Sequence, residues 1–183
     1  KVESSSQTEN NPAYYAYTDA DNFWITDDKY NSDGTYNTTD TPSETAYYDS
    51  DGKPNGFPSI DEEGNPTLVG DTLKGEWIQL TLPFNIKIKR CVISHTGNVG
   101  DEINGLKILG KQNDGHFHQI HNFDGISDHT DDLQLPTSVS SDHFPTSFYT
   151  NQIRIVITET NEQYASIKKI RFAGDIIGSK VNI

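Results

Sequence analysis

The sequence predicts an all-β protein, a sandwich or barrel of short strands, on three observations. From Gly75 onward, short runs of alternating residues follow one another at roughly ten-residue spacing. In the most regular run, Lys74-Gly75-Glu76-Trp77-Ile78-Gln79-Leu80-Thr81-Leu82-Pro83, the side chains of Ile78, Leu80 and Leu82 share one face, with Gln79 and Thr81 on the other. The composition agrees: among 183 residues there are 14 Gly and 8 Pro, only 32% are hydrophobic and 22% are charged. That mix suits short strands joined by polar loops, and the length suits one domain with a sizeable core.

Taken in order, residues 1–11 are polar and rich in Ser and Asn, and read as a linker or extended arm. A single domain is expected over 12–183. It opens with two short apolar elements, Ala13-Tyr14-Tyr15-Ala16-Tyr17 and Phe23-Trp24-Ile25, around the acidic turn Asp19-Ala20-Asp21-Asn22. Residues 27–71 form a long loop insertion before the central strand, with turn signals at Asp33-Gly34, Asp51-Gly52, Asn55-Gly56 and Gly64-Asn65-Pro66. A loop of that length is often functional. Strands are then expected at Trp77–Phe84, where Pro83 brings the strand to its end, and at Ile86–Ser94. Further strands are expected at Gly105–Leu109, His116–His121, Asp131–Leu135, Ser147–Glu159 and Ser166–Ala173. No repeat and no convincing helix is present.

The formal net charge of −13 disfavours nucleic acid and anionic membranes as partners. Two basic runs, Lys87/Lys89/Arg90 and Lys168/Lys169/Arg171, sit in strand-like sequence and read as solvated strand faces. The one cysteine, Cys91, lies in an apolar alternation and reads as a buried thiol with no internal disulfide partner. No window is long and apolar enough for a membrane helix, so no membrane insertion is expected. No signal peptide is visible, and a chain that starts with Lys and has no Met reads as a processed product or excised domain.

Six pieces in order resemble discoidin-type (coagulation-factor type C) domains, which are galactose-binding-like jelly rolls. They are Tyr17 to Trp24; Gly75-Glu76-Trp77-Ile78-Gln79-Leu80; Asn104 to Gly110; Asn113-Asp114-Gly115; Gln152 to Thr158; and Ile167 to Gly174. The resemblance implies an all-β jelly-roll β-sandwich whose loops cluster at one end as a ligand surface. Its long insertion looks like that of domains on viral and microbial surface proteins. Departures are His118 in place of a second core Trp, Ile25 where galactose binders carry His, and Ser94 to Asn98 where they carry Arg. Galactose specificity is therefore not implied.

Aromatic faces and amide or carboxylate side chains suit sugar C–H surfaces and hydroxyls. The ligand residues expected on this ground are Tyr30, Tyr36, Tyr47 and Tyr48 in the insertion and His95, Asn98 and Asp101 in the loop after the central strand. The resemblance also places a structural calcium at Asp19, Asp21 and Asn22, although Lys169 stands where the family has a Glu ligand. His116, His118 and His121 lack the paired Cys or His-Glu-x-x-His spacing of a zinc site, and no catalytic motif is present. The expectation is a non-catalytic, lectin-like adhesion module of a virion or cell-surface protein. Its partner would be a surface glycan or glycoprotein, bound within a larger or multimeric extracellular assembly. The alternatives are a structural or protein-contact decoration domain and, third, a carbohydrate-active enzyme.

Overall fold

The computed structural model describes residues 1–18, 21–37, 46–48, 59–60, 66–67, 73–96, 103–111, 113, 117–123, 130–134, 149–161 and 163–177. In chain order the strands are β1 (Val2–Ser4), β2 (Trp24–Ile25), β3 (Ala46–Tyr48), β4 (Ser59–Ile60), β5 (Pro66–Thr67) and β6 (Leu73–Ser94). They continue with β7 (Ile103–Lys111), β8 (Phe117–Phe123), β9 (Thr130–Gln134), β10 (Thr150–Thr160), β11 (Ser166–Ile167) and β12 (Lys169–Ile177). Among the described residues the one helical element is a short 3-10 turn at Ala13–Tyr17. It covers the first expected apolar element, and β2 lies in the second.

The central strand differs from the expectation. Trp77–Phe84 and Ile86–Ser94 are one continuous strand of 22 residues, β6. Pro83 does not end it, because no ladder bond is needed there. The β10 pairing steps from Thr81 to Ile86, and β12 joins only from Asn85 onward. A proline lacking its N–H is tolerated where the chain crosses between partners.

β6 therefore serves two layers. Its first half joins the antiparallel ladder β1–β6–β10–β7–β8, with β3 added at its start, and its second half lies between β12 and β9. Residues from both halves meet in one core. Ile78, Ile108, Ile153, Ile155 and Ile157 come from the first layer, and Ile86, Ile88, Cys91, Ile93 and Ile170 from the second. All are buried, which makes the protein a β-sandwich and leaves Cys91 an interior thiol. Trp24, fully buried, seals one flank, and its indole donates to the Ser6 carbonyl at 3.0 Å. The arm expected at residues 1–11 is laid into the sheet: β1 pairs with Ile78 to Leu80 as an edge strand.

Strands β6 and β10 approach closely at Gly75, where a Cβ would lie 1.8 Å from the Ile157 carbonyl oxygen. Only glycine fits that contact.

The core makes a quantitative expectation. Ile155→Ala, at a fully buried position on the middle strand, should lower unfolding free energy by about 2–5 kcal/mol in a urea titration. A loss below about 1 kcal/mol would show that Ile155 is not packed as described.

Candidate functional site

Among the described residues, 26–37, 157–168, the start of β6 and the end of its second half come together at one end of the sandwich. A tight hairpin, residues 29–37, reaches over this end. Its two arms are bridged at Tyr30 and Tyr36 and closed by Asn37 N–H donating to the Lys29 carbonyl at 2.8 Å. Gly34 at the tip has φ of 81°, the left-handed region that glycine supplies without strain. Its carbonyl accepts from the Thr160 N–H at 3.0 Å, so the tip is docked onto the end of β10. Asp33 holds the turn by accepting from the Thr35 hydroxyl at 2.6 Å and the Thr35 N–H at 3.0 Å. Those bonds, the hydroxyl first, hold its carboxyl below the ordinary aspartate range. Their contribution to the turn is present above the unfolded-state pKa and is lost as pH falls through the lower, folded one.

Beneath the hairpin lies a buried carboxylate. Glu76 is fully buried, and its oxygens accept from three hydroxyls: Ser5 at 2.6 Å, Ser6, and Tyr36 at 3.2 Å. Tyr30 completes the group. Its hydroxyl donates to the Ile157 carbonyl at 3.0 Å and accepts from the Glu76 N–H at 3.2 Å. Burial, and then the neighbouring carboxylate, hold the Tyr30 phenol protonated well above its usual range. The two tyrosine rings meet edge to face at 5.4 Å.

Tyr30 and Tyr36 are thus corrected from ligand platforms to core residues, at 2% and 7% exposure. Their hydroxyls are consumed by Ile157 and Glu76, leaving neither ring face for a sugar. His95 lies at the same end but is 3% exposed, so its ring is also withdrawn from solvent. Tyr47 and Tyr48 form β3 against Lys74 and Leu73, and their side chains lie outside the described residues. Asn98, Asp101 and Asp19 also fall outside the described residues; Asp21 and Asn22 are exposed. Among the described residues, no three His, Cys, Asp or Glu side chains gather as a metal site.

What the loop end exposes is a different set. Tyr164 is 37% exposed and follows the exposed Asn161 and Gln163. Asn104 bonds the Asn161 side chain and the Thr160 carbonyl, and Thr35 faces Glu159 across an isolated bridge. The Gln163 carbonyl accepts from the Tyr30 N–H at 3.2 Å, tying this segment to the hairpin. One aromatic ring among amides, hydroxyls and carboxylates is an arrangement that can face a hydroxyl-rich molecule. Sequence reasoning passed over Asn161, Gln163 and Tyr164 because they follow a strand rather than sit in the conspicuous insertion. Their polar-aromatic composition was the available signal.

Neither a protein-family model nor a curated protein sequence matches the chain. Solved structures do. A family 32 carbohydrate-binding module of NanJ from C. perfringens, in complex with galactose, superposes with a TM-score of 0.56 at 12% identity over 94% of this chain and 91% of that one. The fold is that of the family 32 carbohydrate-binding modules. These are discoidin-like, galactose-binding-type domains, as the six ordered sequence pieces had implied. A second such module from Clostridium perfringens, bound to GalNAc-beta-1,3-galactose, gives 0.57 at 10% identity over 94% of this chain and 93% of that chain. The family 89 glycoside hydrolase of the same organism matches at 0.57 and 12% identity over 96% of this chain. This chain spans only 14% of that enzyme.

The Glu76 group should behave as one unit within the family 32 fold. Tyr36→Phe should cost about 1.5–3 kcal/mol in urea unfolding, since a buried carboxylate loses a donor. A cost near zero would show that the Tyr36 hydroxyl does not serve Glu76.

Proposed function

We propose that this chain is a non-catalytic carbohydrate-binding module that holds a sugar at its loop end. The observation that carries the reading is the exposed Tyr164, which follows the exposed Asn161 and Gln163 in the chain, with Asn104 bonded to Asn161 and Thr35 bridged to Glu159 at the same end of the sandwich. The aromatic ring would cover an apolar sugar face, and the amides would exchange hydrogen bonds with its hydroxyls. The fold supports it, since the solved neighbours include modules in complex with galactose and with 4,5-unsaturated mannuronic acid. The adhesive, extracellular role at a virion or cell surface belongs to the same proposal. Copies on a larger assembly would convert weak single sites into firm attachment.

Calcium beside Asp19, Asp21 and Asn22 is the finer part of this reading. Asp21 and Asn22 are adjacent and exposed, and Lys169 on β12 offers the ion nothing. Backbone oxygens of the turn would have to complete the shell.

A second reading, a protein-contact domain, is favoured by one flank. Tyr17, Leu82, Phe84, Ile86, Phe172 and Ile176 line an apolar cavity of about 530 Å³, and Ile176 is 62% exposed at its rim. Exposed apolar surface of this kind marks contact sites.

Two outcomes are expected. On a glycan array the domain should bind selectively, and Tyr164→Ala should reduce that binding at least about tenfold with an unchanged melting temperature, as expected for one lost aromatic contact. A folded domain that binds no glycan would favour the contact reading. Calcium should raise the melting temperature and a chelator should reverse it; identical melting with and without chelator would remove the ion from the proposal.

A further inference from the structure

The apolar cavity on the flank lies where β6 crosses from one layer of the sandwich to the other. Leu80 and Leu82 reach it from the first half of the strand, Ile86 from the second, and Phe172 from β12. Its volume of about 530 Å³ falls within the roughly 300–1,000 Å³ that small-molecule sites occupy. Tyr17, the last residue of the 3-10 turn, belongs to the same wall.

Tyr17 is the wall residue that an apolar contact does not explain. Its hydroxyl is buried from solvent and, among the described residues, has no hydrogen-bond partner. Burial, and then the nearby Cys91, push its pKa far above the ordinary tyrosine range, so it stays a protonated donor. Buried polar atoms without a partner are few in native proteins, and each calls for a water, an ion or a ligand. The ring sits on a fixed support. Ala13 and Ala16 of the same turn are buried, and Thr18 donates to the Tyr15 carbonyl through its N–H at 3.1 Å and its hydroxyl at 3.0 Å. A phenylalanine would keep the ring's packing and avoid the cost of burying an unpaired hydroxyl. Packing alone therefore gives no reason for the oxygen.

We propose that this cavity binds a small apolar molecule carrying one hydrogen-bond-accepting oxygen, an ester or ketone carbonyl, with the Tyr17 hydroxyl as its donor. Leu80, Leu82, Ile86 and Phe172 would take the apolar body out of water, which supplies most of the affinity. The single donor would fix the orientation and select for the carbonyl. The site uses neither Tyr164 nor any sugar contact, so it stands or falls apart from the loop-end reading.

The test is an amide-resolved NMR titration of the whole chain with methyl benzoate, methyl octanoate and the hydrocarbon propylbenzene, none of which contains a sugar. Both esters should give saturable shifts at Leu80 to Ile86 and Phe172 to Ile176, with Asn161 to Tyr164 unmoved. In Tyr17→Phe, the ratio of methyl benzoate affinity to propylbenzene affinity should fall at least about fivefold, because only the ester loses a hydrogen bond. Without ligand, the same variant should melt no lower than the parent, since it gives up no bond. Three results overturn the proposal. One is no saturable shift with either ester, which would leave the flank to a protein contact. Another is an affinity ratio that Tyr17→Phe does not change. The third is a Tyr17→Phe melting temperature more than about 4 °C below the parent's, which would show that the hydroxyl already has a partner.

Discussion

A buried carboxylate organises one end of this sandwich. Burying a carboxyl group is costly unless its oxygens find hydrogen-bond partners. Glu76 engages them with Ser5, Ser6 and Tyr36, which come from the N-terminal segment and the hairpin. Leaving a buried oxygen without a donor is costly, so the donors are firmly held. The consequence is mechanical. Glu76 fastens the first strand to the sheet and fixes the base of the hairpin. Through Gly34 and Thr160, the hairpin tip is then fixed against the end of β10. The exposed groups around Tyr164 stand beside a braced hairpin. A binding surface held in place before contact loses less entropy on binding.

The same region shows why glycine stands one residue earlier. The Tyr30 hydroxyl bridges the Ile157 carbonyl and the Glu76 N–H, which requires β6 and β10 to be close at that point. Gly75 permits the approach, since any Cβ would collide with the Ile157 carbonyl. On the outer face of the sheet, Arg154 is stacked on Trp77 at 4.0 Å and on Phe117 at 4.4 Å, with two bonds to Gln79. That stack caps a small second cluster of Leu109, Phe117 and Val156.

Much of the architecture was legible in the sequence, because alternation reports burial directly. The strand from Trp77 onward, the late strands and the buried Cys91 follow from residues that touch their sequence neighbours' faces. Pro83 misled because its tolerance depends on which strands pair beside it. Tyr30 and Tyr36 misled for a deeper reason. Locally they sit among Asn, Ser, Asp and Thr, as solvated loop residues do. Their burial is created by Glu76 and Ile157, far along the chain, and no local pattern records those partners. His95 is similar, a polar residue just past a strand end that the fold buries. The basic runs were each visible, but only the register of β6 with β12 shows that they lie side by side.

The most direct test of the carbohydrate reading is an amide chemical-shift map of the isotope-labelled domain titrated with a panel of mono- and disaccharides. The account predicts shifts concentrated at Asn31 to Thr35, Asn104 and Glu159 to Tyr164, with the core unmoved. Saturable shifts centred on the apolar flank around Phe84 and Ile176, or no saturable shift with any sugar, would contradict it.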